Sequence, residues 1–240
     1  MNAPVIWIII PICISILMLG GLRWRGAIVY VGVGSSLFLA ALAWWLPVGE
    51  AIGKGPLSFE IFQSLSVFGR QFTITDYEKP IVALLYIGTA FWMGGTIAAQ
   101  TDTDFVPISL SITAMLVAGL LVEPFLYAAL IIEIIVLGCV VLLNSSHAKG
   151  RKGILRFWTF ETLGMPFILL LGWMLAGVEA NPGEAILASQ VAVFAAFGFS
   201  LLFAIFPFHT WIPMVAEEAH PYTSAFVFYI ISYLFSDPFC

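Results

Sequence analysis

The chain is built from apolar runs of bilayer length separated by short polar breaks. About 20 consecutive apolar residues match the hydrocarbon thickness that one α-helix crosses. In hydrocarbon every backbone N–H and C=O must find its partner inside the protein, so runs of this length fold as helices. With 61% hydrophobic and only 10% charged residues, a soluble single domain is excluded. The reading is an all-α, polytopic transmembrane bundle of about eight spans, with the lipid bilayer as its first partner.

The spans can be placed in order. The first covers roughly Val5 to Gly20 and ends at the basic turn Arg23-Trp24-Arg25. The second covers Ala27 to Leu46 and stops at Pro47, with Trp44 and Trp45 where an interfacial aromatic belt is expected. Residues 48–78 form one long loop, in which 57–61 and 71–75 alternate in polarity and read as two short strands around Gly69. The third span covers Pro80 to Ala99, the fourth Pro107 to Val122, and the fifth runs from Glu123-Pro124 to Leu143. The polar, basic linker Asn144 to Gly153 reads as a solvated loop that includes His147. The sixth span covers Leu155 to Val178. After a turn at Asn181 to Glu184, the seventh and eighth occupy 185–235.

Six of the nine basic residues fall in the first-to-second and fifth-to-sixth connections, which the positive-inside rule places in the cytoplasm. With eight spans both termini are then expected outside, in a prokaryotic inner membrane. The net charge of −5 gives no basic stripe, and no nucleic-acid partner is expected. Cys13, Cys139 and Cys240 are scattered, form no metal or redox motif and read as inert packing residues. Neither a metal nor a cofactor is expected. Gly32, Gly34 and the Gly94-Gly95 pair read as close helix packing. The tryptophans, mostly near span ends, read as interfacial anchors.

The region from Phe206 to Phe228 departs from this pattern. Pro207, Pro213 and Pro221, a histidine, a tryptophan and Glu217-Glu218 interrupt the apolar run. A proline in a helix removes a backbone donor, which hydrocarbon tolerates only where protein or a water-lined cavity satisfies the freed carbonyl. A seventh helix broken at Pro207 and Pro213 is therefore expected, and broken helices are where transporters build ion sites.

Pro-Phe-His-x-Trp-x-Pro at 207–213, followed by Ala-Glu-Glu-Ala-His-Pro at 216–221, resembles the seventh-to-eighth helix passage of the antiporter-like membrane subunits. These include the proton-pumping subunits of respiratory complex I, of membrane hydrogenases and of Mrp-type sodium/proton antiporters. The resemblance implies a hairpin-bearing second loop, leading helices over 1–105, and a first antiporter-like repeat, spans four to eight, over 106–240. The family's second repeat is not found here, so the chain reads as naturally short, one part of a split subunit, or truncated.

Glu133 is the foremost single residue. It sits nine residues past Pro124, about 14 Å along the fifth span and so near mid-membrane. Carboxylates at that depth usually face a bundle interior and move ions or protons; the plainer reading is a hydrogen bond to a neighbouring helix. The resemblance matches Glu133 to a family glutamate that pairs with a lysine on the broken helix. That lysine position is Leu202 here, and a commonly acidic position after the second proline is Met214.

His209 reads either as a proton relay from Glu133 through water or as a cap for a freed carbonyl. Glu217, Glu218 and His220 read as a metal or proton-entry site or, more simply, as a solvated turn, since their spacing is no metal signature. Glu123 and Glu161 read as helix-end caps stabilised by the dipole, with a pairing to Arg156 as the second choice for Glu161.

The resemblance thus implies proton movement driven by redox chemistry in other membrane subunits, with sodium as the alternative cation and no redox step in this chain. Two other readings stay open: a non-pumping structural or assembly subunit, which Leu202 favours, and one half of a cation/proton antiporter.

Overall fold

The computed structural model describes residues 2–22, 24–47, 51–52, 59–60, 62–67, 69–124, 126–144, 148–180 and 185–233. These residues are mostly helical. Four helices, at Gly26–Trp45, Lys79–Ala99, Leu126–Leu143 and Lys152–Val178, are long and apolar enough to cross a membrane, and shorter apolar helices accompany them at Val5–Gly20, Phe105–Leu121 and Ser189–Leu202. The protein is a helical membrane protein. The packing divides it into two compact units, Met1–Glu123 and Pro124–Cys240.

The first unit holds helices α1 (Ile10–Gly20), entered through a π-helical stretch Val5–Ile9, α2 (Arg25–Trp45), α3 (Lys79–Ala99) and α4 (Phe105–Leu121). Helix α2 packs along α3, and α4 lies against both α1 and α3. Most of the circumference of α4 is buried, including Phe105, Leu110, Leu116 and Val117, as expected of a helix that is apolar all round. The fourth helix therefore belongs physically with the leading helices.

Apolar side chains gain little from meeting one another in lipid, so polar groups join these helices. The Trp7 indole N–H donates to the Leu39 carbonyl at 3.1 Å, the Tyr86 hydroxyl donates to the Trp7 carbonyl, and Ser36 Oγ donates to the Tyr86 carbonyl at 2.8 Å. Ser15 Oγ reaches the Pro107 carbonyl at 2.6 Å, and the hydroxyls of Thr89 and Thr113 share a bond of 2.7 Å. Trp7 is thus a core residue rather than an interfacial anchor, whereas Trp24, Trp44 and Trp45 are exposed.

Of the glycines expected at close helix contacts, Gly32 makes one. A Cβ on Gly32 would lie 2.4 Å from Val106 Cγ1, so α2 and α4 touch there; Gly34 has open space, and Gly94 makes only ordinary contact. Cys13 is exposed and Cys139 buried, so only the second is a packing residue; Cys240 lies outside the described residues.

The long second loop does contain a hairpin, shifted from its expected place. Strands β1 (Ala51–Ile52) and β2 (Phe59–Glu60) pair with each other. The hairpin around Gly69 joins β3 (Ser64–Val67) to β4 (Arg70–Thr73), with Ser64 opposite Thr73 and Val67 opposite Arg70. Gly69 has φ +76°, a left-handed conformation that suits glycine. Alternating polarity also marked 57–61, but the two-residue turn selects the nearer segment. A third strand, β5 (Val122–Glu123), pairs with β4 and places Glu123 opposite Gln71.

The second unit is organised around α6 (Lys152–Ala180), which packs against α5 (Leu126–Leu143), α7 (Ala185–Leu202) and α8 (Trp211–Glu218); α9 (Pro221–Tyr233) rests on α5 and α8. Small residues on α6 make close approaches possible. A Cβ on Gly153 would lie 2.7 Å from the Met214 carbonyl carbon, and one on Gly172 would lie 2.8 Å from Leu126 Cα. The described end of the linker before α6, exposed at Lys149 and Arg151, is tied to α8. The Lys149 amide donates to the Glu218 carbonyl at 2.7 Å, and Gly150 lies against the Glu218 side chain. His147 and the turn Asn181 to Glu184 lie outside the described residues.

Candidate functional site: a carboxylate pair on α5 and α6

Glu133 lies mid-way along α5, half-buried, and its Oε1 accepts a hydrogen bond from Thr162 Oγ1 of α6 at 2.8 Å. Its Oε2 is buried without a hydrogen-bond partner. The second carboxylate of the site is Glu161, adjacent to Thr162 in sequence. Glu161 is 1% exposed and its Oε1 is likewise unpartnered.

The capping expectation for Glu161 is corrected. Helix α6 begins at Lys152, three residues before the expected start, so Glu161 lies nine residues in, about 14 Å from the helix end. Macrodipole stabilisation is confined to the first turn and does not reach it. Arg156 does not pair with it either: that side chain is exposed and its Nη1 donates to Met214 Sδ at 3.4 Å.

The inner face of α6 explains how Glu161 is held. Phe157, Glu161, Gly164 and Ile168 recur at helical spacing and are all buried. Phe157 packs against Trp211 of α8 with ring centroids 4.9 Å apart and the rings tilted by 56°, and Gly164 receives Leu202 of α7, whose Cδ2 would lie 3.2 Å from a Cβ there. Leu202 is fully buried. The position where the resembled family carries its lysine is thus an apolar plug one turn from Glu161. The Trp211 indole N–H is also buried without an acceptor.

Pro166 adds a further acceptor. It lies inside α6 and has no N–H to return to the Thr162 carbonyl four residues earlier. The hydroxyl of Thr162 therefore serves Glu133, while its carbonyl has lost its regular helical donor. Sequence reasoning missed this arrangement because Glu161 was read apart from Glu133 and Pro166 was not read at all. The signal was present in Glu161-Thr162 followed four residues after the threonine by a proline, inside an otherwise apolar span.

The broken element is seen, with a mechanism other than proline. Helix α7 stops at Leu202 in a Schellman turn: the Ala204 amide donates to the Leu201 carbonyl at 3.2 Å and the Ile205 amide to the Ser200 carbonyl at 2.9 Å, with Ala204 at φ +50°. The helix has ended before Pro207, which leads into a 3₁₀ turn at Phe208–Thr210. Pro213 is the third residue of α8, where its missing N–H would have had no intrahelical acceptor. Both prolines flank or open helices; neither interrupts one.

His209 is exposed and stacked on Phe206 at 5.8 Å. It neither contacts Glu133 directly nor caps a carbonyl among the described residues, so the capping reading is set aside. Glu123 is an exposed residue of β5, opposite Gln71 of β4. Glu217 is exposed, but Glu218 is no part of a solvated turn: its Oε2 accepts the Gly153 amide at 2.7 Å at the start of α6. His220 is half-buried just before α9. No group of three metal-binding side chains occurs among the described residues.

These features define the class: a helical membrane protein whose second unit carries a carboxylate pair on adjacent helices. A scan of the chain against protein-family models gives no match, and neither does a search of curated proteins.

Proposed function

We propose that this chain is a proton-translocating membrane subunit of the antiporter-like class, with eight spans, moving protons in response to redox chemistry in partner subunits. The observation that carries the reading is Glu133 of α5, a mid-span carboxylate bonded to Thr162 of α6, the residue next to the buried Glu161. Buried ionisable groups at membrane depth are costly and mark ion paths. The resemblance of 207–221 to the broken-helix passage supports the same class. The host membrane is a prokaryotic inner membrane, with the basic connections in the cytoplasm and both termini outside; protection of an amino-terminal tag from cytoplasmic reagents tests that orientation.

The decisive experiment is proton flux in vesicles bearing the assembled host complex, comparing wild type with Glu133→Gln under redox load. Loss of flux with assembly intact is the expected result. Unchanged flux would refute the reading. One observation favours a second reading: Leu202, buried against Gly164, occupies the position of the family's cation. A subunit that keeps the fold for assembly alone would show normal complex formation and unchanged flux in every carboxylate variant.

A further inference from the structure

Four cations stand within eight residues where the linker enters α6: Lys149, Arg151, Lys152 and Arg156. All four side chains are exposed, and none forms an ion pair among the described residues. Their backbone is held in place. The Lys149 amide donates to the Glu218 carbonyl and the Gly153 amide to the Glu218 carboxylate, both at 2.7 Å, so α8 fixes the cluster at the start of α6. Among the described residues, the acidic side chains at this end of the second unit are Glu217, which is exposed, and Glu218, which is engaged with Gly153; His220 and Tyr222 lie just beyond them. Two carboxylates against four cations leave this end positive.

Arg156 is oriented but not neutralised. A guanidinium carries five N–H donors in a flat fork, and here Nη1 donates to Met214 Sδ at 3.4 Å, a weak acceptor. The contact turns the fork toward α8, and no carboxylate pairs with it among the described residues.

The depth of the cluster follows from the length of α6. Its 29 residues span about 43 Å, which matches a bilayer of about 40–45 Å with its headgroups included. The first turn, from Lys152 to Arg156, therefore lies in a headgroup layer. Lys152, Arg156, Leu163, Leu170 and Trp173 recur at helical spacing and are all exposed, so one face of α6 is cationic at its start and apolar below. Leu155 adjoins it, 55% exposed. The exposed hydroxyls of this stretch are satisfied within the protein: Thr159 donates to the Leu155 carbonyl and Thr162 to Glu133, each at 2.8 Å. Such a face offers cations to a headgroup and hydrocarbon to an acyl chain, a combination that neither a nucleic acid nor a soluble acidic protein matches.

We infer that the start of α6 is a binding site for an anionic phospholipid, its phosphate held by the Arg156 fork and by Lys152 one turn earlier, with an acyl chain lying along Leu155 and Leu163. Guanidinium groups pair with phosphate through two parallel N–H bonds, and clusters of four or more Lys and Arg at the end of a transmembrane helix attract anionic headgroups. Lys149 and Arg151 add charge at the outer edge. Neither Glu133 nor proton transport enters this site, so it stands or falls separately from the transport reading.

The test is native mass spectrometry of the full chain after equilibration with equal amounts of phosphatidylglycerol and phosphatidylcholine of the same acyl chains. Wild type is expected to retain one phosphatidylglycerol in preference to phosphatidylcholine. Lys152→Gln/Arg156→Gln should weaken that retention roughly thirtyfold, the effect of two cations at a membrane surface. Arg23→Gln/Arg25→Gln, which removes the same charge from another connection, should leave it in place. Equal retention of the two lipids by wild type overturns the site without recourse to any variant, and an equal loss in the Arg23/Arg25 variant overturns it as diffuse attraction. Inorganic phosphate that displaces the lipid as effectively as added phosphatidylglycerol would show a free-anion site instead. Retention that vanishes in the assembled host complex would show that a partner subunit covers this face, and would overturn it too.

Discussion

The amide of Gly153 donates to the carboxylate of Glu218 at 2.7 Å, across 65 residues of sequence. Gly153 is the second residue of α6, so its N–H belongs to the set that has no acceptor within the helix. A carboxylate at that end also meets the positive end of the helix dipole. The end of α8 thus serves as the amino-terminal cap of α6, from outside that helix.

Glu218→Ala is expected to destabilise the second unit by about 1–2 kcal/mol, the scale of a lost N-cap with its charge. Glu218→Gln, which keeps an acceptor, should lose less. Thermal unfolding in detergent, followed by tryptophan fluorescence, checks both against the exposed Glu217→Ala. An equal shift in Glu217→Ala would show that the cap contributes nothing.

Gly153→Ala should be worse than its chemistry suggests. The added methyl would meet backbone atoms of Met214 and Val215 at 2.7 Å, and backbone cannot swing away as a side chain does. The expected loss is about 1–3 kcal/mol, typical of overpacking. Gly34→Ala, with nothing within 4 Å, serves as the control and should leave the unfolding midpoint unchanged or raise it.

Ala204→Gly is expected to stabilise the turn after α7 by about 1 kcal/mol, since Ala204 holds a left-handed backbone at φ +50° that glycine adopts without strain. A rise in the unfolding midpoint checks this. A fall would mean that the Ala204 methyl contributes more by packing than its backbone costs.

Leu202→Lys would set an ammonium against Gly164, one turn from Glu161. The variant should fold only while Glu161 can pair with it, so adding Glu161→Gln should cost about 3–5 kcal/mol more, the scale of a broken buried pair. A double-mutant cycle on unfolding free energies measures the coupling. Additive effects would place Leu202 out of reach of Glu161.

Much of the helix order was legible because apolar length is a direct physical demand of the bilayer: the boundaries of α1, α3 and α5 fall within a few residues of expectation. What the sequence hid depends on pairing across the fold. Glu161 looked like a helix-end carboxylate because polar residues blurred the start of α6, and only the packing of Phe157 and Gly164 against α8 and α7 shows it buried. Glu218 looked solvated because its partner amide is 65 residues away. The hairpin was expected from its glycine and misplaced by its alternation, since several segments alternate and only strand pairing selects among them.

The bonds from Trp7 to Leu39, Tyr86 to Trp7 and Ser36 to Tyr86 run between α2, α3 and the π-helical entry to α1. They have a bearing on biogenesis. The Ser36 hydroxyl and the Trp7 carbonyl find their interhelical partners only when α3 arrives, so the first two helices leave the insertion machinery with a standing preference for the third. In a membrane, where no water competes for those groups, that preference gives the nascent chain an internal order of assembly.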